Sequence, residues 1–167
     1  SAEALADLVE AQVGRRKVYG EHTVWREREH LWIGPRSAAP PLDRELRPGD
    51  TVRLPGGHTL TARWLDRVPD DPSRSDRQTA YMDAGRVELP LQIRTWQEGD
   101  RFRPLGMEGH KNVSDLLTDA KVPPHQRESV CVVTSEQTIV WVVGYRLSHE
   151  VRLRPETERA LELTVID

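Results

Sequence analysis

The chain has 167 residues, enough for one domain or two small ones around a buried core. Apolar residues make up 37% and charged residues 31%, which reads as a folded protein with a very polar surface, and the net charge of −3 excludes the overall basic field of a non-specific nucleic-acid binder. One cysteine excludes an internal disulfide and a cysteine-rich metal site. No stretch approaches the ~18 to 20 apolar residues of a membrane span and no signal-peptide pattern opens the chain, so a reducing, cytoplasmic setting is expected. The chain opens Ser1-Ala2 without an initiator methionine, which reads as a piece cut from a longer protein.

In chain order, Ala4, Leu5, Leu8, Val9 and Val13 recur at helical spacing before Gly14, an amphipathic helix of about three turns. Arg15-Arg16-Lys17 follows where positive charge suits a helix C-terminus. The period then changes: Thr23-Val24-Trp25 and Leu31-Trp32-Ile33 read as a hairpin. Residues 37–48 are rich in proline and turn formers and read as a loop. Residues 51–54 and 59–65 read as strands around the Pro55-Gly56-Gly57 turn. Residues 68–78 form a polar linker, and a soft boundary falls after it, dividing the chain into 1–88, a linking region, and 89–167, a second domain.

The second half opens with a strand over 91–96 turned by Glu98-Gly99-Asp100. Residues 113–120 read as a short helix with Val113, Leu116 and Leu117 on one face and Asn112 or Ser114 as cap. Pro123-Pro124 breaks the chain and 125–128 start another short helix. Residues 129–134 and 138–143 are continuous apolar runs, hence buried strands, joined by Ser135-Glu136-Gln137, and 161–166 is a last strand. The fold class is α+β, mostly antiparallel strands with a few short helices. Trp141 reads as core; Trp96 and Phe102 read as core too, with stacking on a base as the alternative, and Cys131, inside Val130-Cys131-Val132-Val133, reads as a buried structural thiol.

No catalytic apparatus emerges. None of the six histidines pairs with another at the i, i+4 spacing of a zinc site, no glycine-rich loop leads into a Lys-Ser or Lys-Thr pair, and no serine has a nucleophile-elbow context. No catalytic residue and no metal ligand is therefore assigned, and binding is favoured over catalysis. The densest chemistry runs from Arg94 through Trp96, Gly99, Asp100, Arg101, Phe102 and Arg103 to Gly106, with Lys111, Lys121 and Arg127 beyond. Guanidinium forks match phosphate oxygens. The competing reading pairs Arg101 and Arg103 with Asp100, Glu98 or Asp115 on a solvated face.

This run resembles a known family. Ile93-Arg94-x-Trp96-x-x-Gly99-Asp100-Arg101-Phe102-x-Pro104-Leu105-Gly106-Met107-x-Gly109-x-Lys111 is similar to the signature of the C-terminal domain of tRNA(Ile)-lysidine synthetases. The likeness continues through residues 113–117, Lys121-Val122-Pro123, Arg127, 139–144 and Arg146, and ends at 157–163. It implies that the C-terminal half is a small β-sandwich-like domain of the kind shared with the phenylalanyl-tRNA synthetase β subunit. It implies a parent ligase that spends ATP, with magnesium, and lysine to turn the wobble cytidine of tRNA(Ile) into lysidine. The nucleotide-binding loop of that family is absent from this sequence, so the piece itself is expected to be non-catalytic and to hold no cofactor. The implied partners are tRNA(Ile), at its acceptor stem, and the catalytic N-terminal domain of the same chain, with a homodimer as a further option and no membrane. By motif, Arg94, Arg101, Arg103, Lys111, Lys121, Arg127 and Arg146 are candidate tRNA contacts, Gly99 and Gly106 shape the turn, and Asp100 holds it. The alternative is a structural or dimerising domain that positions the catalytic part without touching RNA.

Overall fold

Short β-branched runs punctuated by glycine and proline turns cannot build long helices, and they pair instead. The computed structural model describes residues 16–20, 22–26, 31–35, 41–70 and 77–167. Within them the strands are β1 (Arg16–Tyr19), β2 (His22–Arg26), β3 (Leu31–Pro35), β4 (Asp43–Leu46), β5 (Thr51–Arg53), β6 (Thr59–Leu65), β7 (Thr79–Asp83), β8 (Leu91–Thr95), β9 (Arg101–Phe102), β10 (Lys111–Asn112), β11 (Cys131–Ser135), β12 (Thr138–Val142), β13 (Arg146–Leu147) and β14 (Ala160–Ile166). Two short α-helices join them, α1 (Val113–Asp119) and α2 (Pro124–Arg127). The fold is α+β with antiparallel pairing throughout these strands.

Two larger sheets carry the core. One has the order β13-β12-β11-β8-β4 and the other β5-β6-β14-β7. Leu46, Leu91, Ile93, Val133 and Trp141 of the first meet Val52, Leu60, Met82, Leu161 and Leu163 of the second in one buried cluster, the arrangement of a β-sandwich. β11 is buried at every position because its two faces serve two cores. Cys131 and Val133 face the sandwich, while Val130 and Val132 join Phe102, Val113, Leu117, Val122, Ile139 and Val142 in a second cluster. A register shift between β11 and β12 pairs Val133 with Trp141 but Thr134 with Ile139, leaving Val140 as the extra residue. That bulge lets Val140 and Trp141 both face the sandwich despite being neighbours. The hairpin between these strands turns on Glu136 and Gln137, both with positive φ (47° and 70°), as a two-residue turn matched to the twist of the strands demands. Cys131 lies in the core, where burial pushes its thiol up to about 12.

Several expectations need correction. The stretch read as a loop over 37–48 contains β4, which pairs with β8 in the register Asp43↔Arg94 to Leu46↔Leu91. Only Leu46 of this edge strand is buried, so backbone hydrogen bonds hold it without an apolar pattern that the sequence would show. Residues Arg16 and Lys17, read as the charged end of a helix, begin β1, and β7 went unread. Asn112 occupies the cap position of α1, yet its side chain makes no capping bond. Pro124 does not break the chain but opens α2, where its missing N–H costs nothing. The helix read over residues 4–13 and most of the 68–78 linker (71–76) lie outside the described residues. Both larger sheets draw strands from either side of the 88/89 division: β4 pairs with β8, and β14 lies between β6 and β7.

Candidate nucleic-acid interface

The arginine-rich run folds into a turn, a two-residue strand and a second turn. Gly99 (φ +92°) and Gly106 (φ +83°) take left-handed conformations that a β-carbon would strain. Between them Phe102 is buried in the second core, and strand alternation therefore sends Arg101 and Arg103 to the opposite face. Lys111 pairs with Phe102 across the β9–β10 ribbon and Asn112 with Arg101. Directly opposed residues share a face, so Lys111 points away from Arg101 and toward α1, where its ammonium meets the carboxylate of Asp119.

The candidate cations thus divide by what they touch. Arg94 is bidentate on Asp100, at 2.9 Å through each terminal nitrogen, with about a fifth of its side chain exposed. Asp100 also accepts the Gln97 N–H at 2.7 Å, so the pair locks the turn rather than facing solvent. Arg94 lines a polar groove beside Asp43, Gln92 and Glu136, and Gln92 itself donates to Asp43. Arg127 donates from Nε to the Val122 carbonyl at 2.9 Å, and its own carbonyl accepts the Trp96 indole N–H at 2.6 Å, tying α2 to the strand end. Lys121 is exposed at φ +56°, just after α1. Arg101 is exposed as well.

Arg103 and Arg146 fall together. The second turn is zipped to the segment after β13: Pro104 bridges Ser148, Leu105 N–H donates to the Leu147 carbonyl, and His149 N–H donates to the Arg103 carbonyl. Arg103 Nε donates to the Met107 carbonyl at 2.7 Å, and Arg146 donates to the Leu105 carbonyl at 2.8 Å. Two further arginines, Arg152 and Arg154, follow the 3₁₀ turn His149–Val151 that this zipped segment leads into, and sequence reasoning missed them. Arg152 donates to the His149 carbonyl at 2.7 Å. None of Arg101, Arg103, Arg146, Arg152 and Arg154 has a carboxylate within ion-pair distance among the described residues. Their signal in the sequence was the basic spacing around His149, legible only once Ser148 is known to bridge Pro104.

His149 reports the resulting field. Its Nδ1 accepts the Gly106 N–H at 3.1 Å. Desolvation lowers its pKa below 6.5, and the charges of Arg152, Arg103 and Arg154 lower it further, opposed only by Glu150. The linkage has a definite sign. A base whose folded pKa lies below its unfolded value takes up protons more readily when unfolded, so stability is lost as pH falls below 6.5. Protonation also removes the acceptor of the Gly106 N–H. The His149→Gln variant should therefore lose less stability than the parent chain between about pH 7 and pH 5, measured by urea unfolding; parallel pH profiles would contradict it.

Among the described residues no group of three or more histidine, cysteine or acidic side chains is placed to hold a metal ion, and no helix is long and apolar enough to cross a membrane.

Comparison with known proteins places this interface in context. Residues 91–163, which span β8 to β14, match the family model described as the TilS substrate C-terminal domain. Over 140 residues (84% of this chain, 32% of the relative) the chain is 32% identical to a tRNA(Ile)-lysidine synthase of Parabacteroides distasonis. Over 145 residues (83% and 29%) it is 37% identical to that of Symbiobacterium thermophilum. The chain spans about a third of the length of these curated relatives. Among solved structures, a TilS C-terminal domain superposes with a TM-score of 0.69 at 24% identity, covering 76% of this chain and 97% of that one. An N-terminal fragment of the phenylalanyl-tRNA synthetase β-subunit from Pyrococcus horikoshii gives 0.51 at 11% identity, covering 99% and 62%. These two likenesses show the fold.

Proposed function

As the chain belongs to the family of tRNA(Ile)-lysidine synthase C-terminal domains, we propose that it grips tRNA(Ile), at the acceptor stem, for a catalytic domain carried elsewhere in the parent enzyme. The observation that carries this reading is a local one. In a chain of net charge −3, Arg101, Arg103, Arg146, Arg152 and Arg154 lie on or around two linked turns, and among the described residues none has a carboxylate within ion-pair distance. Phosphate contacts of this kind position an RNA by backbone and shape, independently of stem sequence. Arg94 and Lys111, both paired with carboxylates, support the interface from behind, and Lys121 and Arg127 belong to the α1–α2 side of the domain. ATP, magnesium, lysine and the cytidine chemistry itself belong to the parent's other part, in the cytoplasm.

The test is the salt dependence of tRNA binding by the parent enzyme. Arg101→Ala with Arg103→Ala should weaken binding by about tenfold or more, since charge-assisted hydrogen bonds are worth ~1.5 to 3 kcal/mol each where fully formed. The slope of log K against log salt should fall by ~0.7 to 0.9 for each phosphate contact removed. Arg63→Ala serves as control, because Glu162 already holds that guanidinium at 2.6 Å on the other sheet. An unchanged affinity and slope in the double variant would favour the structural or dimerising alternative.

A further inference from the structure

Resting on that reading, we propose that Arg103, Arg152, Arg154 and the His149 ring form a pocket for a terminal phosphate monoester, which on an RNA is the group at its 5′ end. The pocket is built by pairing between distant segments rather than by surface side chains that happen to lie close. The bridge from Pro104 to Ser148 and the bonds from Leu105 and His149 fix the turn against the strand end. The 3₁₀ turn then returns Arg152 onto the His149 carbonyl. The backbone of Arg154 is pinned separately: its N–H donates to Thr157 Oγ1 at 2.8 Å, and that hydroxyl donates to Asp83 at 2.9 Å.

Every member presents donors. Arg103 spends Nε on Met107 and keeps both terminal nitrogens for a ligand. Arg154 has its Nε closed off from solvent with no hydrogen-bond partner, a buried donor of the kind folded proteins rarely leave unmet. The Gly106 N–H occupies Nδ1 of His149, so the neutral ring carries its hydrogen on Nε2 and donates from there. Glu150 is the one carboxylate whose charge bears on the ring, and it is exposed and forms no ion pair among the described residues.

The concentration of charge selects the ligand. The Arg152 guanidinium on the His149 carbonyl, the Arg103 carbonyl on the His149 N–H and the buried, unmet Nε of Arg154 gather these cations about one short segment, which suits a single centre with more than one negative charge. A phosphate monoester carries about −1.5 to −2 at neutral pH and three acceptor oxygens, whereas an internal diester carries a single charge and recurs along the strand. A strip of cations would suit the diester; a cluster suits the monoester.

The experiment compares two otherwise identical tRNA(Ile) transcripts, one ending in a 5′-monophosphate and one in a 5′-hydroxyl, binding to the parent enzyme at fixed salt. The phosphorylated RNA should bind about tenfold more tightly. Arg152→Gln and Arg154→Gln should each reduce that preference to about threefold or less, and Arg152→Lys, which keeps the charge and loses the fork, should fall between. Arg101→Ala, outside the pocket, should weaken both RNAs alike and preserve the ratio. Equal binding of the two transcripts by the unaltered enzyme overturns the pocket and leaves the tRNA-grip reading standing, as does a preference that survives in all three pocket variants. Failure to bind either RNA overturns both.

Discussion

Phe102→Ala should cost the 167-residue chain about 3 to 5 kcal/mol, the range for truncating a fully buried aromatic ring. The ring is 2% exposed and packs among Val113, Leu117, Val122, Val132, Ile139 and Val142. β9 is only two residues long, so its ladder of hydrogen bonds contributes little and the ring is its anchor. The same ring sets the direction of Arg101 and Arg103 on either side of it. The variant should therefore shift the urea midpoint and also weaken tRNA binding, although no cation has been removed. Phe102→Leu should recover most of the stability by refilling the volume. A loss below about 1 kcal/mol for the alanine variant would mean that the second core does not depend on this ring.

Asp100→Ala should cost about 2 to 4 kcal/mol, nearly as much, by a different route. It removes the bidentate partner of Arg94 and the acceptor for the Gln97 N–H in one step. With side chains 21% and 13% exposed, the pair is largely withdrawn from water, so removing one partner leaves the guanidinium without its bidentate acceptor in a poorly solvated place. Asp100→Asn keeps an oxygen for Gln97 and should fall between. A double-mutant cycle with Arg94→Met isolates the pair: a coupling energy above ~1 kcal/mol is expected, and additivity within ~0.5 kcal/mol would refute the clamp.

Much of this architecture was legible because its signals are local. The turn at Glu98-Gly99-Asp100, the isolation of Phe102 in a charged run, the double apolar runs of β11 and β12 and the short helix that begins at Val113 each follow from a few neighbouring residues. What escaped was set by pairing at a distance. β4, with the sequence Asp-Arg-Glu-Leu, is a strand because β8 lies beside it, and nothing in its own composition says so. The same limit applies to the candidate cations. Arg94, Arg101 and Arg103 look alike in the sequence, yet a carboxylate six residues on takes the first and alternation around Phe102 exposes the second. Arg152 and Arg154 were passed over for the converse reason: their neighbourhood is created by segments 45 to 50 residues upstream, through the bridge from Pro104 to Ser148.

β14 occupies an interior place in its sheet, wedged between β6 and β7, which make no ladder with each other. During synthesis those two strands therefore wait, without a shared neighbour, until a segment that begins 95 residues beyond the end of β6 and 77 beyond the end of β7 has left the ribosome. At ~5 to 20 residues per second that interval lasts about 5 to 20 seconds. The nascent protein must shield Leu60, Ala80 and Met82 for that time by other means, which makes this half of the sandwich the part most exposed to chaperones and to mispairing in the cell.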